Sequence, residues 1–570
     1  MVMKRNIAQL SQTVFDVLVI GGGIYGVCTA WDAALRGLSV ALVEQADFGH
    51  ATSANSLKII HGGLRYLQDG DLGLVRAMSQ ERRIWLQIAP HLVHPLPCLM
   101  PTDNSLLRQR AVLATALAVN DWLSYDRNRG LDSQKHLPNG RTISKADCLA
   151  RLPGLEPDGV NGGALWYDAQ MYNSERLLLS FVLGAVAAGA VAANHVEVVG
   201  FLREKRSVRG VIAKDVLTGQ TIEVRARLTI NCAGAWIDPL LSLLGPATSP
   251  TRFVRSIAMN LVTRQFLSGC AVALPSKYRV DDGTGRLRER TRTLFMVPWR
   301  EYSLIGTIHA PAIGPQSSPF PTEAEVVAFI EEINRAYPPA GLNRADVYQV
   351  HYGYLPMVAA RPQPAGVKLL RQSRLVDHAQ DDGLAGLLTV VGVKYTTARR
   401  TAQHVVDLAV KKLGRPGLAG RSHTTPLYGG QIGRFAEFMA QAIAQRPPGL
   451  EVEVMRRLVY NYGTTYQKIL DYRLEAPGWG RPVANQVGVL QAEVIHAVRQ
   501  EMAQTLGDVI QRRTELGAAG LPADDVLQAC ADLMAGELGW DQGRIAAELA
   551  RVRAAYPLDA RPVPERVGIR

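Results

Sequence analysis

Three glycines, one carboxylate and a run of hydroxyls near the N-terminus are the residues of this chain best suited to chemistry. Gly21, Gly23 and Gly26 stand in the spacing G-x-G-x-x-G, and Glu44 comes one helical and one strand-like segment later. Each has a mechanical duty in holding a dinucleotide. Gly21 permits a tight turn, Gly23 lets a diphosphate approach backbone, and Gly26 lets helix and strand pack closely. The helix start then faces the phosphate charge, and Glu44 can bind the adenosine ribose hydroxyls. The elements that must position them are legible. Phe15–Ile20 is a short apolar run of the kind expected of a buried parallel strand, Cys28–Arg36 is helical and ends at Gly37, and Leu38–Val43 supplies a second strand. The glycine spacing alone is weak evidence. The order strand, glycines, helix, glycine, strand, acid is specific.

The segment after the second strand decides between nicotinamide and flavin. An NAD enzyme would usually continue with further βα units, whereas this chain runs into the polar, glycine-rich segment Ala51–Tyr66. There Thr52, Ser53 and Ser56 can donate hydrogen bonds to pyrophosphate and ribitol, and His61-Gly62-Gly63 lets backbone come close to an aromatic ring. Further along, Val196–Val199 can offer backbone to an adenine, and Ala233-Gly234 opens space for phosphates after the strand Leu228–Ile230. In Gly392–Thr397 a helix begins with unpaired N–H groups, which with Lys394 would stabilise negative charge on a reduced isoalloxazine. FAD is the cofactor expected.

At these residues the sequence resembles the FAD-dependent glycerol-3-phosphate dehydrogenases, within the wider D-amino-acid-oxidase-like flavoproteins. The similarity covers nearly the whole chain. ATSANSLKIIHGGLRYL (Ala51–Leu67) resembles the family's flavin loop, and WYDAQMYNSERLLL (Trp166–Leu179) its hinge into the substrate domain. INCAGAW (Ile230–Trp236) is similar to the strand-turn that returns to the cofactor, which adds Trp236 to the expected cofactor set. GLLTVVGVKYTTAR (Gly386–Arg399) resembles the segment lying against the flavin, with Gly392, Lys394 and Thr396 as its contacts. EMAQTLGDVIQRRTELG (Glu501–Gly517) resembles the helical C-terminal domain that simpler amine oxidases of the superfamily lack.

The resemblance implies hydride transfer from a substrate C–H to flavin N5, most simply from glycerol 3-phosphate to give dihydroxyacetone phosphate. Arg65 would orient the anionic substrate, Tyr66 would hydrogen-bond it, and a membrane quinone would take the electrons. The departures gather at the substrate end. Where the family shows Lys-Gly-x-His, this chain has Arg255-Ser256-Ile257-Ala258, and where it shows Gly-Thr-Thr-Asp, Gly306-Thr307-Ile308-His309. Leu355 takes the place of the arginine in Gly-Val-Arg-Pro-Leu that grips the phosphate, and Gly-Gly-Lys becomes Gly392-Val393-Lys394. Leucine cannot replace the charge-assisted fork of an arginine. Either the substrate differs or another cation, Arg255 or Arg361, compensates. With Ala258 at the histidine position the base is open, and His309, His351 and His61 are candidates; a lone histidine is more often structural.

At 570 residues the chain needs two or three domains. The expected class is α/β (α+β): a Rossmann-like FAD-binding domain from 1–100, 150–250 and 355–415, an antiparallel-sheet substrate domain from 101–149 and 251–354, a helical C-terminal domain over 425–556, and a loose tail over 557–570. Leu294–Val297 and Ser303–Thr307 read as a hairpin in the second of these. The net charge of +12 and pI near 9.4 favour anionic company: an acidic substrate, a phosphate-rich cofactor or an anionic lipid surface. Nucleic acid is not expected, because no helix-turn-helix, zinc-finger or stacking signature is present. Six cysteines without a C-x-x-C pair or metal spacing point to a reduced cytoplasm and no metal. Leu177–Ala193, nearly uncharged but broken by Ser180, Gly184 and Gly189, reads as a buried helix followed by a strand rather than a membrane span. A cytoplasmic protein with peripheral contact at the inner face of the membrane is the expectation, and a homodimer is left open. Two other readings stand beside the dehydrogenase. One is an amine, amino-acid, polyol or hydroxy-acid oxidoreductase of the same superfamily, which the C-terminal helices argue against. The other is a flavin-bound protein without activity.

Overall fold

The computed structural model describes residues 2–245, 253–281, 287–312, 321–358, 369–484 and 488–558. Its first body is built on the strand Val14–Ile20, buried at every position but the first. Val40–Val43 and Thr221–Asn231 flank it in parallel, and Val191–Ala193 and Leu387–Val391 extend the sheet in parallel on either side. Arg374–Asp377 closes one edge in antiparallel, and the meander Val196–Glu204, Ser207–Asp215 turns back from Thr221–Asn231. Helices Ile24–Leu35, Ser174–Ala187 and Ala398–Lys412 pack together beside this sheet. Trp31 and Trp85 both set an edge against Phe181 in their core, with ring centroids 5.1 and 5.3 Å apart. The sequence segment read as a buried helix is Ser174–Ala187, ended by Gly189 at φ +100°.

The second body is a nine-stranded sheet. Val347–Val358, Phe253–Arg264, Tyr302–Pro311, Leu287–Trp299 and Ala271–Asp281 succeed one another in antiparallel. The expected hairpin is part of it, with Phe295 opposite Gly306. Val93–Thr102 joins in parallel and Gly162–Met171 in antiparallel, followed by Ile59–Ile60. The sequence assigned Val93–Met100 and Gly162–Met171 to the cofactor body; their pairing puts them in the second sheet. Chain order hides this, because the chain crosses between bodies at Ile59, Val93 and Tyr172. Helix Glu323–Ala336, opened by the reciprocal Thr322–Glu325 capping box, buries Phe329 and Ile333 with Leu274, Leu294 and Met296 of this sheet.

Helices from Phe435 to Ala554 form the C-terminal part. Buried ion pairs fasten it to the first body: Arg513 with Asp47, Glu501 with Arg176 at 2.6 Å, and Asp508 with His195 at 3.0 Å. All six cysteines are free and buried. Among the described residues no helix is long and apolar enough to cross a membrane, and no His/Cys/Asp/Glu group could hold a metal.

Candidate active site

The glycine turn has the shape its spacing demands. Gly21 sits at φ +104°, and a Cβ there would lie 2.7 Å from the Cys232 carbonyl oxygen. A Cβ on Gly26 would overlap the Gly21 carbonyl, so helix Ile24–Leu35 reaches its turn only because residue 26 is glycine. Gly23 is the N-cap, and Ser53 accepts the Ile24 N–H at 3.0 Å. Glu44 is buried at the end of its strand. It accepts the N–H groups of Gly22 at 2.6 Å and Ala46 at 2.9 Å and meets His50 at 3.3 Å. Burial would raise its pKa, but His50 and those N–H groups together hold it below the usual carboxylate range.

A cavity of about 530 Å³ runs from this turn to the second sheet. Gly23, Ser53, Cys232 and Gly234 line one end. Tyr25 and Gly392–Tyr395 line another side, and Thr52, Asn55, Ser56 and Leu57 of the flavin loop bound it as well. Arg255, Ala258, Asn260, Thr307 and Gly353–Pro356 close it from the substrate sheet. Thr52 clamps the two bodies together, its hydroxyl donating to the Tyr354 carbonyl at 3.0 Å and accepting the Tyr354 N–H at 3.1 Å. Ser56 accepts the Lys58 N–H at 3.2 Å, shaping the same loop.

Several expected contacts stand behind this wall instead of on it. Thr396 is buried and accepts the His61 N–H at 3.2 Å, while its carbonyl takes the Trp85 indole N–H at 2.9 Å. Gly62 donates its N–H to Asp168 at 2.6 Å, and a Cβ there would overlap the Arg82 guanidinium that pairs with the same carboxylate at 2.7 Å. Gly63 adopts φ +87° to start the turn Leu64–Asp69. The Val196 N–H is committed to the Glu44 carbonyl, Ala233 donates to Asn231, and Trp236 lies 6.0 Å from the His50 ring. The N–H groups of Val393 and Lys394, read from sequence as unpaired, both donate to the Tyr25 hydroxyl at 2.9 Å.

The substrate end is also redistributed. Arg65 is exposed and off the cavity wall; its charge reaches His61, Tyr66 and His309 through space. Sequence adjacency cannot say which side of a short 3₁₀ turn an arginine takes. Tyr66 is also off the wall and lies under Lys394, whose Nζ is 4.9 Å from its ring centroid. Arg255 does line the cavity, with its guanidinium over the Tyr354 ring at 5.1 Å, while Arg361 lies outside the described residues. His351 faces a different cavity, about 600 Å³, between the flavin loop and the C-terminal helices. Its Nδ1 has no partner there, and burial above all holds it down to about 3; its place in that separate cavity sets it apart from the residues that line the first. His61 is held at about 4, chiefly by burial, with Lys394, Arg82 and Arg65 adding to the effect against Asp168. His309 is also absent from the cavity wall; it stands directly opposite the wall residue Ala258 in the antiparallel register, 3.4 Å from the Ser256 hydroxyl, and burial with Arg292 and Arg65 lowers it to about 4. Tyr25, Asn260 and Thr307 are the wall residues that motif reading missed.

The glycine cradle and the cavity that continues from it fit a flavin dinucleotide, and the relatives agree. Residues 16–408 match the family described as FAD dependent oxidoreductase, and residues 420–545 match the C-terminal domain of alpha-glycerophosphate oxidase. The chain belongs to the FAD-dependent oxidoreductase family. This family member is 32% identical over 521 residues to the glycerol-3-phosphate dehydrogenase of Synechocystis sp., with 90% of each chain covered. It is 32% identical over 555 residues to that of Mycobacterium leprae, covering 96% of this chain and 90% of the relative. The mitochondrial glycerol-3-phosphate dehydrogenase of Bos taurus is 31% identical over 563 residues, covering 95% of this chain and 72% of the relative. The crystal structure of glycerol-3-phosphate dehydrogenase from Bacillus halodurans complexed with FAD shares the fold, with a TM-score of 0.74 at 24% identity over 98% of this chain and 97% of that one. This FAD-dependent oxidoreductase therefore carries both parts that its sequence announced, the flavin body and the helical C-terminal domain.

Proposed function

We propose that the protein oxidises glycerol 3-phosphate to dihydroxyacetone phosphate and passes the electrons to a membrane quinone. The observation that carries this reading is the cavity itself. It runs from the dinucleotide turn to a wall of the second sheet bearing the cation Arg255 and two neutral polar groups, Asn260 and Thr307, with Lys394 on the side formed by Gly392–Tyr395. Bound FAD supplies the hydride acceptor, N5 of its isoalloxazine. Gly21, Gly23, Gly26 and Ser53 would hold the diphosphate, and Gly392–Tyr395 with the loop Thr52–Leu57 would hold the flavin. Arg255 takes over the phosphate-facing charge that Leu355 cannot provide. Asn260 and Thr307 orient the hydroxyls by hydrogen bonds. His309, neutral near pH 7, accepts the proton of the reacting hydroxyl on an imidazole nitrogen. Lys394 would supply the positive charge that stabilises electrons received by the cofactor.

Anaerobic mixing with glycerol 3-phosphate tests the reading. The flavin absorbance should bleach, and glycerol without its phosphate should fail at the same concentration. Bleaching with another polyol phosphate, hydroxy acid or amine, and none with glycerol 3-phosphate, overturns the substrate and leaves the flavin chemistry standing.

The membrane contact has its own support. Leu106, Leu107, Trp122 and Tyr125 are 76, 58, 72 and 79% exposed, and Val112 is exposed between them. They flank and cover the outer side of helix Arg110–Leu123, which carries no charge between its first residue and Asp121. Arg110 and Arg129 are exposed beside this patch, while Asp103, Asp121 and Asp126 are paired with Arg108, Arg127 and Arg76. An apolar face rimmed by unneutralised arginines suits an anionic bilayer surface.

A further inference from the structure

Tyr25 is a variable position of the glycine motif, and the motif gives it no duty. Its side chain leaves the first turn of helix Ile24–Leu35 and reaches the loop Gly392–Tyr395 beside it on the cavity wall. The phenol oxygen accepts the N–H groups of Val393 and Lys394, each at 2.9 Å. It also lies 2.8 Å from the Lys394 carbonyl and 2.9 Å from the Ser373 hydroxyl. A hydroxyl has two acceptor lone pairs and one proton. The two N–H groups fill the acceptors, and the proton serves one of the two oxygens. The ring is as closely matched as the hydroxyl, because a Cβ on Gly392 would overlap it.

The other end of Lys394 is held too. Its Nζ donates to the Arg371 carbonyl and stands over the Tyr66 ring at 4.9 Å, and Arg371 pairs with Asp69 at 2.9 Å on the same turn as Tyr66. Residue 394 is thus fixed at its backbone by Tyr25 of the glycine turn and at its ammonium by the Arg371 carbonyl and the Tyr66 ring.

We propose that Tyr25 is a positioning residue that holds the Lys394 ammonium against the isoalloxazine, so that the turn seating the diphosphate also sets the charge facing the reduced ring. This rests on the reading that FAD occupies the cavity. The Coulomb energy between an ammonium and a charged ring depends on their separation and on the local dielectric. A loop released by even a fraction of an ångström therefore changes the redox balance without touching the reacting atoms.

The test is a double-mutant cycle on the full-length holoenzyme. Tyr25→Phe keeps the ring against Gly392 and removes the hydroxyl. The midpoint potential of bound FAD should become more negative, and the apoprotein should take up FAD roughly tenfold more weakly, as expected when buried N–H groups lose their acceptor. In a Lys394→Met background, Tyr25→Phe should shift the potential no further. An equal shift in both backgrounds, or no shift in the otherwise wild-type protein, overturns the proposal. If Tyr25→Phe does not retain flavin, Ser373→Ala carries the same measurements, with a smaller shift of the same sign that again vanishes with Lys394→Met; a shift that survives Lys394→Met overturns the proposal there too. A wild-type protein that takes up no FAD defeats the function proposed above, a result easily told apart from these.

Discussion

Ala258 and His309 face one another across the antiparallel pair Phe253–Arg264 and Tyr302–Pro311. Side chains so opposed have their Cβ atoms about 4.5–5.5 Å apart. An imidazole therefore stands one strand away from the position that lost its histidine. We predict that His309→Asn lowers the rate constant of flavin reduction by roughly 10²–10⁴, the usual worth of a positioned base. Stopped-flow reduction measures it. Because His309 titrates at about 4, the wild-type rate should be flat from neutral pH down to that region and fall below it as the base becomes protonated. Ala258→His in the His309→Asn protein should recover part of the loss.

Lys394 titrates at about 8, lowered chiefly by burial, with Arg371 adding and Asp71 opposing; Tyr66 and His61 are its other titratable neighbours. Its charge is present below that value and lost above it. The flavin reduction rate should decline as pH rises through about 8. Lys394→Met should give a slow, pH-independent rate over the same range, read from a pH series of single turnovers.

Gly26→Val should yield colourless protein. The added side chain meets the Gly21 carbonyl at once, so the helix must back away from the turn. Absorbance near 450 nm in the purified variant, at wild-type stoichiometry, would contradict the cradle described for these glycines.

Lys58 is fully buried, with its ammonium 2.9 Å from Glu175, 2.7 Å from the Ser174 hydroxyl and 3.2 Å from the Ala54 carbonyl. Lys58→Met strands a buried carboxylate and should cost about 3–5 kcal/mol in urea unfolding. Burial alone would raise the Glu175 pKa, but Lys58, joined by Arg512 and a backbone N–H, outweighs it and holds the group at about 2 in the folded protein. The folded value is depressed, so the stabilisation is complete above the ordinary carboxylate value, about 4.3, and drains away as pH falls toward about 2. Lys58→Met should flatten that part of the stability curve.

Trp122→Ser with Tyr125→Ser should weaken flotation with phosphatidylglycerol vesicles by roughly a hundredfold, since each aromatic removes apolar area worth about a decade of partitioning. Binding to phosphatidylcholine vesicles should be weak for both proteins. Equal flotation of variant and wild type would rule out this face as the lipid contact.

The parts of this molecule legible in its sequence are those fixed by neighbours in the chain. The turn Gly21–Gly26, its helix and the strand Val40–Val43 form one continuous stretch, so their spacing alone prescribes their geometry. The substrate wall comes from strands far apart in sequence, and there alternation decides which side chains face the cavity. His309 and His351 looked equivalent as letters, yet pairing puts one beside Ala258 and the other against a separate cavity. Tyr25 was invisible for the opposite reason. It lies inside a strong motif, but its partners sit more than three hundred residues on, and no local pattern announces them.

The pairing of Arg513 with Asp47 gives the helical C-terminus a larger role than that of an appendage. Asp47 lies three positions beyond Glu44, in the loop that follows the strand Val40–Val43, and both Asp47 and Arg513 are buried. A chain stopped short of Arg513 would leave that carboxylate without its counter-charge in a place water does not reach. Truncation should therefore cost the enzyme its yellow colour before it costs any helix of the first body.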